Sequence, residues 1–155
     1  MEQQDSTARR IVVGVDGSPS SKAALRWAVA LAEHTNATVE AVIAWHFPVI
    51  VGPYAYAWAP APAQPADDFQ EIAAKTLAET IADAVDPAST ARIDMAVREG
   101  YPAQTLLAAA EGAELLVVGS RGHGALAGAL LGSVSQHCAH HAPCPVVIIR
   151  GHAAK

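Results

Sequence analysis

The residues of this chain best placed to do chemistry are glycines. Gly119-Ser120-Arg121-Gly122-His123-Gly124 is followed, after a nine-residue spacer from Gly122, by Gly132-Ser133. The apolar run Leu115-Leu116-Val117-Val118 leads into the first group, and the segment after Ser133 has the composition of a helix. Strand, glycine loop and helix start therefore follow one another. Glycines let a ligand approach main-chain N–H groups with no Cβ in the way. A helix N-terminus adds unpaired N–H donors and the positive end of its dipole, so together they suit an anion such as the phosphates of a nucleotide. From the glycines alone, a flexible connection is an equally good reading.

A second candidate group is Gly14-Val15-Asp16-Gly17-Ser18-Pro19, at the end of another apolar run. Asp16 has two readings: a carboxylate in a binding crevice, or the cap of the following helix. The turn lacks the Gly-x-Gly-x-x-Gly order of a dinucleotide site, and the later loop lacks the Gly-x4-Gly-Lys-Ser/Thr order of a P-loop ATPase. No lysine is placed to draw charge from a transferring phosphate, so vigorous turnover is not expected. Ser18, Ser20, Ser120 and Ser133 lie near the expected crevice without a histidine and carboxylate positioned to activate one. His137, Cys138, His140, His141 and Cys144 form a crowded group, but on a helix Cys138 points away from the histidines and Pro143 intervenes before Cys144. Convergence on a zinc ion is poor.

These residues need elements to position them. Arg10 to Asp16 reads as a central strand, Ala24, Trp27, Ala28, Leu31 and Ala32 as a helical face ending at Asn36, and Thr38 to Trp45 as a second strand. His46 to Pro65, with Pro48, Pro53, Pro60, Pro62 and Pro65, reads as a long loop. A helix from Ala66 to Val85 presents Ile72, Leu77, Ile81 and Val85 on one face, and Ala91 to Arg98 alternates as a half-exposed strand. Pro102 opens a helix running to Glu111, Leu115 to Val118 is a strand, Ser133 to His141 a helix, and Pro145 to Arg150 the last strand. Strands alternating with helices imply an α/β fold: a five-stranded parallel sheet with helices on both faces, binding ligands beyond the carboxyl ends of its strands. Gly14, Val15, Asp16 and Gly119 are expected to meet in one crevice.

Composition bounds the rest. With 52% hydrophobic and 16% charged residues, the chain can fill one packed domain over 9–150, with flexible tails at 1–8 and 151–155 expected. A net charge of −5 offers no basic stripe for nucleic acid. The polar N-terminus, the lack of a membrane-length apolar run and only two cysteines lead to the expectation of a cytoplasmic protein with no membrane association. The apolar Val146-Val147-Ile148-Ile149 would pair with its copy in a homodimer if it lies at a sheet edge.

The spacing Gly119-x2-Gly122-x9-Gly132-Ser133, the opening Ile11-Val12-Val13-Gly14-Val15-Asp16-Gly17-Ser18 and the ending His141-Ala142-Pro143-Cys144-Pro145-Val146-Val147-Ile148 resemble the universal stress protein family over Arg9 to Arg150. The resemblance implies a Rossmann-like fold of the adenine nucleotide α-hydrolase type and membership of the ATP-binding subgroup. It implies that Gly14, Val15 and Asp16 belong to the nucleotide site, with Asp16 beside the ribose and phosphates, hydrogen-bonding the sugar or helping to hold Mg²⁺, and that main-chain groups near Val42, Ile43 and Ala44 meet the adenine. Val118, Gly119, Ser120, Arg121, Gly122, His123, Gly124 and Ala125 would wrap ribose and phosphates, and Gly132, Ser133 and Val134 would meet the terminal phosphates. The function it implies is a nucleotide-dependent stress-response regulator recognised by a protein partner, forming a homodimer through the last strand. The alternatives are a structural dimer with a vestigial pocket, and a slow ATP-hydrolysing or self-phosphorylating enzyme.

Overall fold

The computed structural model describes residues 9–46, 66–122 and 131–151. The elements run β1 (Arg10–Gly14), α1 (Pro19–Thr35), β2 (Thr38–Trp45), α2 (Ala66–Ala84), β3 (Arg92–Glu99), α3 (Pro102–Ala109), β4 (Leu115–Gly119), α4 (Ser133–His141) and β5 (Val146–Ile149). All pairings are parallel and the sheet order is β3-β2-β1-β4-β5. The chain winds outward from β1 to β3, then crosses back to β4 on the other side of β1. That reversal leaves a gap between the carboxyl ends of β1 and β4.

The central strands are apolar on both faces because both are covered. Ile11, Val13, Val39, Ala41 and Val117 pack with α1 and α2 around Leu25 and Leu77. Val12, Val42, Leu116 and Val118 pack on the other face with Leu106, Ala109 and Cys138 of α3 and α4. Burying each large aliphatic side chain contributes roughly 1.5–3 kcal/mol, so the two layers fix where the strand ends lie.

Local signals explain the boundaries. Pro19 starts α1, Ser18 caps it by accepting the Ser21 N–H, and Asn36 stops it in the left-handed conformation at φ 55°. β1 stops at Gly14 rather than Asp16, because the chain turns toward Gly17 at φ 81°. The face expected for α2 needs one correction: Leu77 is buried and Ile81 and Val85 partly so, but Ile72 is 57% exposed. The helix instead seats Ala73, Leu77, Thr80 and Ala84 against the sheet. β3 lies at one edge, as its alternation suggested, and β5 at the other. The Pro-rich segment 47–65 and both expected tails, Gly151 apart, lie outside the described residues.

Arg10 fastens the far end of the sheet. It donates to Glu40 at 2.6 Å and to the carbonyls of Ala109 and Glu111 at 2.7 and 2.6 Å, while Arg98 reaches the other Glu40 oxygen at 2.9 Å. It therefore ties the last turn of α3 to β1 and β2.

Candidate functional site

A cavity of about 620 Å³ opens where the winding reverses. Gly14, Val15 and Asp16 enter it from β1, Val42 and Ala44 from β2, and Val118, Gly119, Arg121 and Gly122 from β4 and the turn after it. Gly132, Ser133 and Val134 enter from α4. Ile43, with its neighbours alternating to the opposite face, lies in the α1–α2 layer. Ser120 is buried, and its carbonyl accepts from Gly132 N–H at 2.7 Å and Ser135 Oγ at 3.2 Å. His123, Gly124 and Ala125 lie outside the described residues.

The strand ladder decides which main-chain groups face the crevice. Val42 O accepts from Val15 N–H at 2.8 Å, whereas Trp45 O accepts from Gly100 N–H at 2.7 Å beside β3. Even-numbered residues of β2 therefore direct their N–H and C=O toward β1. β1 has ended by Ala44, so the Ala44 main chain points past it into the crevice.

The two helix starts differ. At α1 the Ser18 hydroxyl accepts a first-turn N–H, so that end is partly satisfied by its own side chain. At α4 the cap is Gly132, which has no side chain to offer its first-turn N–H groups, and Ser133, Val134 and Ser135 of that turn line the cavity. An anion is the partner such a terminus accepts most readily.

Close approach explains two glycines. A Cβ on Gly119 would stand 2.7 Å from Ser20 C, and one on Gly122 would stand 2.5 Å from Asp16 Oδ2. The second contact places the Asp16 carboxylate against the glycine loop. Asp16 Oδ1 accepts from Ser18 N–H at 2.9 Å, so Asp16 braces the turn before the helix and Ser18 is the cap. Among the described residues no three His, Cys, Asp or Glu side chains gather as a metal cage. A single carboxylate at the cavity fits a hard cation that brings phosphate oxygens and water as its other ligands, as Mg²⁺ does.

Sequence reasoning missed Ser21, Pro102, Leu106, Leu131, Ser135 and Gln136 in the lining. Pro102 carried a signal, since a helix opening just beyond the carboxyl end of β3 lies at the same rim. Leu106 carried none, because an apolar helix residue reads as core. Cys138, from the crowded histidine segment, is buried in the α3–α4 layer, and burial pushes its thiol up to about 11. The His137 and His141 rings lie 4.6 Å apart between centroids, tilted at 45° to one another, on the outer surface of α4.

A doubly wound parallel sheet with a glycine-lined crevice at its switch point defines a Rossmann-like α/β domain. The chain belongs to the universal stress protein family, whose model matches residues 7–150. It is 37% identical over 154 residues to a universal stress protein of Mycolicibacterium smegmatis, covering 96% of this chain and 50% of that protein. The chain spans about half the length of the curated relatives it matches. Among solved structures it is similar to a universal stress protein in complex with cAMP, with a TM-score of 0.69, 28% identity, and coverage of 95% of this chain and 100% of that one. A family member from Arabidopsis thaliana with AMP bound shares the fold at a TM-score of 0.55 and 19% identity, over 94% of this chain and 93% of that one.

Proposed function

We propose that this chain binds an adenine nucleotide, ATP with Mg²⁺, in the crevice between β1 and β4, and that occupancy regulates its recognition by a protein partner. The observation that carries the reading is the uncapped start of α4 facing Asp16 and Gly122 across one cavity. The apolar side chains of Val42, Leu106 and Val118 suit a base, and the Ala44 main chain offers one donor and one acceptor to its edge. Ser133 and Val134 N–H groups suit the phosphates, and Asp16 is the side chain that would hold Mg²⁺ between them. The cAMP complex of the relative above supports an adenine nucleotide without choosing among its phosphorylation states. Bound Mg²⁺ would neutralise phosphate charge, and no residue of the described site is arranged to activate a nucleophile against it.

The test is the nucleotide content of protein purified without added ligand, followed by titration with ATP, AMP and cAMP, each with and without Mg²⁺. Tightest binding of ATP in the presence of Mg²⁺ is expected. No bound nucleotide and no affinity for any of the three would overturn the reading.

The partner surface has its own support. At the β3 edge Arg92, Asp94, Arg98 and Glu99 are exposed, and such charges discourage edge pairing. The β5 edge is Val146-Val147-Ile148-Ile149, with no charge. Ser120 N–H donates to Ile149 O and Leu116 N–H to Pro145 O, so the odd positions face β4 and the N–H groups of Val146 and Ile148 point outward. A second copy pairing along β5 would satisfy them, giving a homodimer. Ile148→Pro removes one outward N–H at a position where an edge strand tolerates proline. Light scattering should then report a monomer, and an unchanged dimer counts against this interface.

A further inference from the structure

Ser20 is buried in the first turn of α1, where a helix surface serine ordinarily meets water. Its hydroxyl donates to Arg121 O at 2.5 Å and accepts from Arg121 N–H at 3.2 Å. Both main-chain groups of one loop residue are thus bonded to one side chain, with the Ser18 hydroxyl donating more distantly to the same carbonyl at 3.4 Å. The backbone of Ser20 packs closely on two glycines: a Cβ on Gly119 would lie 2.7 Å from its carbonyl carbon, and one on Gly151, past the end of β5, 2.9 Å from its Cα. At both positions only glycine leaves room for it.

The neighbouring loop amides are committed as well. Ser120 N–H donates to Ile149 O at 2.8 Å, and Gly132 N–H donates to Ser120 O at 2.7 Å. Among the described residues of the loop, Gly122 is the first after β4 whose N–H is not taken by a hydrogen bond within them. Of the positions expected to belong to the nucleotide site, Ser120, Arg121 and Gly132 therefore commit their N–H groups to the loop's own shape.

We propose that Ser20 is a positioning residue of the crevice: by clasping the Arg121 peptide it presents the Gly122 amide, rather than that of Arg121, to the anionic group of the ligand. This rests on the nucleotide reading above. Ser20 touches no ligand itself, and its contribution is the orientation of a donor, which binding would otherwise have to order at its own entropic cost.

Ser20→Ala is compared with Thr80→Ala, which removes a buried hydroxyl bonded to Thr76 O on α2, away from the crevice. ATP titration in the presence of Mg²⁺ should show affinity about tenfold weaker for Ser20→Ala and unchanged for Thr80→Ala, while both lose similar thermal stability. Equal ATP affinity in Ser20→Ala and the parent protein overturns the positioning role and leaves the nucleotide site standing. Failure of the parent protein to bind any adenine nucleotide overturns both. If Ser20→Ala does not fold, amide exchange in the nucleotide-free parent protein decides the matter. The Arg121 amide should be protected and that of Gly122 should exchange at least about tenfold faster; the reverse order overturns the clasp.

Discussion

Replacing Gly119 by alanine tests the joint between sheet, helix and loop most directly. The new Cβ would stand 2.7 Å from Ser20 C and 2.9 Å from Ser20 O, both backbone atoms at the start of α1. Carbon atoms rest about 3.5–4.0 Å apart, so β4 and α1 must separate by roughly 1 Å at this point. Overpacking of this kind costs about 1–3 kcal/mol. For a chain of this size each kcal/mol moves the melting temperature by roughly 2–4 °C, which gives an expected fall of about 2–12 °C. The separation also pulls Arg121 from the Ser20 hydroxyl, so nucleotide affinity should fall at least about tenfold, equivalent to 1.4 kcal/mol. Differential scanning calorimetry and ATP titration on the same preparation read both effects. An unchanged melting temperature would refute the close packing of β4 on α1, and an unchanged affinity with a lowered melting temperature would refute the link from packing to the loop.

Asp16→Asn keeps an oxygen to accept from Ser18 N–H while removing the charge; its stability should stay within about 1 kcal/mol of the parent, and the gain in ATP affinity from adding Mg²⁺ should disappear on titration. Arg10→Met leaves the Ala109 and Glu111 carbonyls and Glu40 without their shared donor, and denaturant unfolding should show a loss of about 1–3 kcal/mol. Burial raises the thiol of Cys138 from a usual 9.0 to about 11; a group whose folded value is the higher one favours the fold below pH 9 and loses that contribution as pH rises toward 11. Stability measured by unfolding across that window should decline less steeply in Cys138→Ala, and native Cys138 should resist alkylation at pH 8 until the protein is unfolded.

Much of the fold was legible because its signals are local. Unbroken apolar runs marked strands buried on both faces, Pro19, Asn36 and Pro102 marked helix ends, and alternation in Ala91 to Arg98 marked a half-exposed strand, which lies at an edge. The sequence by itself also determined the family and which glycines crowd the crevice, since backbone approach of this kind leaves a residue-type requirement at fixed spacing. Ile72 misled because an apolar residue at helical spacing carries no mark of the neighbour it lacks. What only the tertiary structure decided is how hydrogen-bond donors are shared out. Whether Ser120, Arg121 or Gly122 offers its N–H to a ligand depends on Ile149 and Ser20, residues from β5 and α1 that arrive from distant parts of the chain. Residue types set which groups are able to bond, but packing of separate elements selects the partners, and it is that selection which leaves Gly122 and the start of α4 turned toward the crevice.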